Sequence, residues 1–294
     1  MRRLLLFVFR VTSETRFVVK VRLVSVLKPK RILWMVLLLS QLTLLGFLFP
    51  SVNTFHKIPS AQFSAPSTLI KPKAAGFDLN KYSIDNPESL WVVVNKSRPL
   101  RTANYVPKNL VQPKYNNPNI YNPKHQVLDA RAADSMVQMA AAAYEAGVGN
   151  LVLSSTYRSF VSQTAVHNQF INRLGLSGGE ALAARPGYSE HQTGLAADIV
   201  TPADGCLAQP CYAATAAGAW LAANAYKYGW ILRYPDQMTF ETGYHFEPWH
   251  YRYVGKELAA YMHSNKLKSL EEAFELPPAP DYSSTESTNA LASI

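Results

Sequence analysis

The chain has 294 residues, 48% of them hydrophobic, and a formal net charge of +9. That apolar content supports a packed core and excludes wholesale disorder. Nine of the 29 basic residues and one of the 20 acidic ones lie before residue 32, leaving the other 263 residues close to neutral. The basic balance therefore belongs to an N-terminal arm and gives no reason to expect a nucleic-acid partner.

In chain order, residues 1–31 read as a basic cytoplasmic arm. Ile32 to Phe49 follows as 18 residues without a charge. As a helix it would span about 27 Å, near the thickness of a bilayer core. Lys and Arg on its N-terminal side place that side in the cytoplasm. The expectation is a single-pass membrane protein with everything after residue 50 outside the cytoplasm. A cleaved signal peptide is the competing reading; no small-x-small site follows Phe49, which favours a retained anchor. Residues 50–85, rich in Ser, Pro, Ala and Lys, read as a linker, and 277–294 as a disordered tail. The stretch 86–276 between them has the size of one domain.

Within that domain the sequence predicts strands over 90–95, 151–155, 194–200, 230–233 and 246–253. It predicts helices over 129–146, 160–174, 212–228, 255–264 and 270–275, with Asp129 as a cap. Residues 98–124 read as irregular chain. Strands mixed with helices, without regular βαβ alternation, point to an α+β fold: a small, mostly antiparallel sheet flanked by helices. Cys206 and Cys211 lack the spacing of a zinc knuckle. Outside the cytoplasm they suit a disulfide; two reduced thiols are the alternative.

Two stretches carry the chemistry. ARPGYSEHQTGLAADIV (184–200) holds His191 and Asp198, and EPWHYRYVG (247–255) holds Glu247 and His250. Asp198 interrupts an apolar run, where a carboxylate is costly unless paired or bound to a metal. Two imidazoles and one carboxylate form a three-ligand set with a fourth position free, the arrangement of a catalytic zinc. Glu247 is then a spare carboxylate for general-base work. By spacing alone an ordinary surface histidine and a strand glutamate remain open. Glu-x-x-His shares a face only in a helix or across a bulge, and Pro248 argues against a helix interior.

SSTYRSFVSQ (154–163), PGYSEHQTGLAADI (186–199) and EPWHYRYVG (247–255), in that order and spacing, resemble the VanY-type D-alanyl-D-alanine carboxypeptidases of the LAS superfamily of zinc peptidases. The likeness covers roughly residues 85 to 275, a domain-sized stretch, and includes VVVNKSRPLRTANYVPKNLV (92–111). It implies that His191, Asp198 and His250 bind one zinc ion in a cleft. It also implies that Glu247 is the general base and that Arg158 polarises the scissile carbonyl. Gln163, Ser189 and Tyr234 match positions that contact the substrate. His245 reads as a neighbour of the site. His56, His125, His167 and His263 read as surface or packing residues.

The expected activity is zinc-dependent D,D-carboxypeptidase action on peptidoglycan stem peptides, releasing the C-terminal D-alanine. The rivals are an L,D-carboxypeptidase or a D-Ala-D-Ala dipeptidase on the same scaffold, and a non-catalytic wall-peptide-binding module. Glu247 discriminates against the last, because a binder needs no base.

Overall fold

The computed structural model describes residues 5–10, 16–21, 76–117, 120 and 126–282, and the chain divides into two units, 1–70 and 71–294. In the first unit, β1 (Leu5–Arg10) pairs antiparallel with β2 (Arg16–Val21). The expected membrane span, 32–49, lies outside the described residues, as does the linker as far as 75. No helix among the described residues is long and apolar enough to cross a membrane.

The second unit is α+β. Two short strands, β3 (Leu110–Val111) and β4 (Leu128–Asp129), pair antiparallel and lead into α1 (Ala130–Glu145). Asp129 caps α1 by accepting from the Arg131 amide at 3.0 Å, which satisfies an otherwise orphaned donor of the first turn. Ala132, Met136, Met139 and Ala143 form the buried stripe of α1, the spacing of one helix face.

The main sheet has four antiparallel strands in the order β5 (Val152–Ser155), β6 (Ala196–Val200), β8 (His250–Tyr253) and β7 (Trp230–Leu232). Side chains alternate between sheet faces with period two. Ala197, Ile199 and Tyr251 join the core cluster that contains the α1 stripe. Asp198, His250 and Arg252 therefore share the opposite face.

The remaining helices are α2 (Phe160–Glu180), α3 (Ala216–Asn224), α4 (Thr239–Thr242), α5 (Lys256–Ser264) and α6 (Leu270–Ala273). Ser159 caps α2, accepting from the Ser162 amide, and Gly175 at φ 75° interrupts it, close to the expected end at 174. Trp91, Val93 and Ile231 pack with α5 and α6 in a second cluster.

Several expectations are corrected. Residues 91–95 are buried and Leu90 is half-buried, but the stretch joins no sheet; its one bridge is Asn95 to Arg98. The carbonyls of Leu90 and Val92 instead accept from the Arg252 guanidinium at 3.2 and 2.8 Å, and that of Val94 accepts from Arg233. Two arginines thus replace a partner strand. The expected helix 212–228 is three pieces, because Thr215 starts α3 afresh by capping Gly218 and tight 3-10 turns flank it at Pro210–Ala214 and Ala225–Tyr228. The strand expected over 246–253 begins only at His250.

The domain also reaches beyond both expected ends. Phe77, placed in the linker by sequence, stacks on Tyr261 with ring centroids 4.4 Å apart. Residues 277–282, placed in the tail, are docked. Ala279 is fully buried, its amide donates to the Glu241 carbonyl, and the Tyr282 hydroxyl accepts from the Arg185 amide. These apolar and aromatic residues bury surface that a free tail would leave in water. Residues 283–294 lie outside the described residues.

Candidate active site

The register of the main sheet sets Asp198 directly opposite His250. Neighbouring side chains on one face of an antiparallel pair lie within reach of each other, and His250 Nδ1 stands 3.1 Å from Asp198 Oδ1. His191 arrives from a tight turn, Glu190–Thr193, which Gly194 closes at φ 70°. A side chain is strained at that φ, and a Cβ there would come within 2.9 Å of Leu110. The turn is pinned to the end of β5 twice. His191 Nδ1 lies 2.7 Å from the Thr156 carbonyl, and the His191 carbonyl accepts from the Arg158 amide. The carbonyl can only accept, so Nδ1 carries the N–H that donates to it, which leaves Nε2 free to face Asp198 Oδ2 at 3.4 Å.

Glu247 and His250 share the site by neither a helix nor a bulge. Residues 247–250 form a turn, with the His250 amide donating to the Glu247 carbonyl at 3.0 Å. Pro248 occupies its second position, where a fixed φ favours the turn. The turn folds Glu247 back, so that its Oε2 lies 3.7 Å from His250 Nδ1.

The residues present suit a divalent cation. Ligand atoms of His191, Asp198 and His250 all lie within 4.8 Å of one another. A tetrahedral ion with bonds of about 2.1 Å spaces its ligands about 3.4 Å apart, close to the 3.1 and 3.4 Å between Asp198 and the two imidazoles. Asp198 Oδ1 is buried, and among the described residues its one polar neighbour is the His250 ring nitrogen at 3.1 Å, a setting that suits a metal-ligand oxygen.

All eight residues singled out by sequence line one cleft of about 430 Å³: Arg158, Gln163, Ser189, His191, Asp198, Tyr234, Glu247 and His250. Arg158 donates to Gln163 Oε1 and to the Ser155 hydroxyl, both at 2.7 Å, and approaches Asp198 Oδ2 at 3.9 Å. Gln163 is fully buried, and its amide nitrogen donates to the Ala184 carbonyl. Each end of that side chain thus makes one hydrogen bond, and its Oε1 braces Arg158 at the cleft wall. Among the described residues the Ser189 and Tyr234 hydroxyls have no hydrogen-bond partner. Tyr234 packs its ring on His250 at 4.7 Å. His245 is exposed and borders the cleft. His167 lies beside Glu180 and His263 stacks on Tyr226, both away from the cluster. His56 and His125 lie outside the described residues.

Electrostatics divide the carboxylates. Burial pushes Asp198 up, but His191 and His250 outweigh it and hold the group well below the usual carboxylate range. Burial dominates at Glu247 and pushes it up to about 8, against His250 and Arg158. Burial and then Arg158 lower His191. His250 goes the other way: burial lowers it, yet Asp198, Glu190 and Glu247 together raise it to about 9.

Sequence reading missed the layer behind the ligands. Glu190, Arg233 and Arg252 are fully buried. Both arginines donate to Glu190 Oε1 at 2.8 Å, and Arg233 also bonds Glu271. One signal was available: Arg252 lies two residues beyond His250 in a strand of aromatic residues, so it shares the His250 face, and a buried cation requires an anion.

Fold and site together define the class: an α+β protein whose antiparallel sheet carries a His–Asp–His cluster suited to a divalent cation, with a buried carboxylate and an arginine beside it. The family model for VanY, D-alanyl-D-alanine carboxypeptidase, matches residues 125–256. YodJ of Bacillus subtilis is 39% identical over 193 residues, covering 66% of this chain and 70% of YodJ. The solved structure of the LD-carboxypeptidase LdcB is 38% identical with a TM-score of 0.57, covering 64% of this chain and 87% of that one. A structure of the vancomycin-resistance D,D-pentapeptidase VanY in complex with Zn(II) is 30% identical with a TM-score of 0.51, covering 62% and 97%. The chain belongs to the VanY family of D-alanyl-D-alanine carboxypeptidases.

Proposed function

We propose that this protein is a zinc-dependent D,D-carboxypeptidase that removes the C-terminal D-alanine from peptidoglycan stem peptides. The observation that carries the reading is the convergence of His191, Asp198, His250 and Glu247 on one cleft beside Arg158. The Zn(II)-bound VanY relative supports the choice of metal, and a two-His, one-Asp donor set suits zinc. When bound, zinc acts as a Lewis acid and lowers the pKa of water to about 7.

The chain's own residues supply the rest. In its ionised form, which a cation bound beside it would favour over the metal-free state, Glu247 takes the proton from the attacking water and delivers it to the leaving amine. Arg158, braced by Gln163 and Ser155, meets the negative charge that grows on the carbonyl oxygen. The Ser189 and Tyr234 hydroxyls hold the terminal carboxylate of the peptide. The basic arm and the apolar run 32–49 support a membrane-anchored protein whose domain faces the wall; cell fractionation with added protease checks this.

The likeness to LdcB supports a second reading, cleavage of an L,D bond in a tetrapeptide by the same residues. Purified protein given pentapeptide, tetrapeptide and free D-Ala-D-Ala, with and without chelator, decides between them. Release of D-alanine from pentapeptide, lost in chelator and restored by zinc, is the expected result. Equal turnover in chelator would remove zinc from the reading, and release from tetrapeptide alone would select the L,D activity.

A further inference from the structure

We infer that Glu190 is a positioning residue for the metal centre: its Oε2 holds the far nitrogen of His250, Nε2, so that Nδ1 is presented to the cation. This role rests on the zinc reading above. The two atoms stand 3.6 Å apart, and each is buried without a hydrogen-bond partner among the described residues. A buried carboxylate oxygen and a buried ring nitrogen left over on both sides of one gap are each other's available partners. Histidines that ligate a metal characteristically donate their second ring N–H to a carboxylate, which fixes the tautomer and the ring orientation.

The rest of the architecture gives Glu190 this task and little freedom. Its other oxygen, Oε1, accepts from Arg233 Nε and Arg252, both at 2.8 Å. Arg233 is clamped in turn by Glu271, and Arg252 by the carbonyls of Leu90 and Val92. Glu190 also precedes His191, whose ring faces Asp198 from the other side. The 190–193 turn thus delivers one ligand directly and braces a second one through its neighbour. Glu271 sits in the same ionic cluster but touches neither imidazole, which makes it the internal control.

The test is zinc affinity, measured by competition with a chromophoric chelator on metal-free protein, alongside thermal unfolding. Glu190→Gln should weaken zinc binding by about 10–100-fold, whereas Glu271→Gln should lower the melting temperature and leave zinc affinity within about twofold. If wild-type protein takes up no zinc, the functional reading fails and the positioning role with it. If wild type binds zinc and Glu190→Gln binds it equally well, only the positioning role fails. Because Glu190→Gln leaves two buried arginines short of charge and can fail to fold, a second measurement uses wild type alone. Imidazole NMR of zinc-loaded, 15N-histidine-labelled protein should show His250 protonated on Nε2 and not on Nδ1. A proton on Nδ1 would overturn the inference.

Discussion

Asp198 and His250 are cross-strand partners, paired in register with a carboxylate oxygen 3.1 Å from an imidazole nitrogen. Two stretches more than fifty residues apart in sequence are thereby fixed by the backbone ladder of the sheet. A register slip of one residue would turn the whole set of side chains to the other face.

Cation uptake should depend on pH through His250. Its pKa is raised to about 9 by the surrounding carboxylates, so metal-free protein carries a proton there at neutral pH. A cation needs that nitrogen unprotonated, and each ion bound releases a proton. Zinc affinity should rise about tenfold per pH unit between pH 6.5 and 8.5. The linkage to folding has the opposite sign. A raised folded pKa stabilises metal-free protein fully below the ordinary histidine value of 6.5, and that gain is lost as pH climbs toward about 9. The gap in melting temperature between zinc-loaded and metal-free protein should therefore widen with pH, read by calorimetry across that range.

Glu247→Gln should lower kcat by about 10²–10⁴-fold, since it removes the base. Zinc content and peptide affinity should stay within a few-fold of wild type. Burial already disfavours the Glu247 charge, so the neutral amide should melt no lower. Metal analysis, calorimetric peptide titration and single-turnover kinetics check the three parts. Undiminished turnover would take Glu247 out of the mechanism.

Arg158 and Gln163 should behave as one unit. Arg158→Lys loses the two-armed grip on Gln163 and Ser155 and should reduce kcat by about 10²–10³-fold, the scale of removing a donor to a developing oxyanion. Gln163→Leu should produce a smaller loss in kcat, and the double variant should be no worse than Arg158→Lys. A double-mutant cycle on kcat/KM reads the coupling; full additivity would show that Gln163 acts by itself on the substrate.

The disulfide should tune the cleft mouth. Cys206 and Cys211 are bonded with a Cα–Cα distance of 5.7 Å, and Ala208 and Pro210 within the loop line the cleft. Replacing both cysteines by serine frees a short loop, worth about 2 kcal/mol of stability by chain-entropy reasoning. KM should rise several-fold with kcat little changed, because no reacting group lies in the loop. Steady-state kinetics on the paired variant measures it.

Local patterns were legible where a residue's own neighbours decide its conformation. Asp129 capped its helix as expected, and α2 kinks at Gly175 beside its expected end at 174 but continues to Glu180. Leu90–Asn95 was misread because its apolar run satisfies strand patterning, while its carbonyls find guanidinium donors that pattern cannot reveal. Glu247 was placed in the same strand as His250, with the way both reach one cation left open, because the aromatic run 246–253 satisfies strand patterning and hides the turn at Pro248.

By itself the sequence determined which side chains can bind a cation, which carboxylate is left over, and the α+β mixture of elements that carries them. Those properties belong to residue chemistry and short-range periodicity. Only the tertiary structure decided that Asp198 faces His250, that Gln163 braces Arg158, and that Glu190 lies behind the ligands between Arg233 and Arg252. The reason is desolvation. A charge removed from water must find its opposite wherever packing provides one, here 43 and 62 residues away along the chain, and no local pattern records that distance.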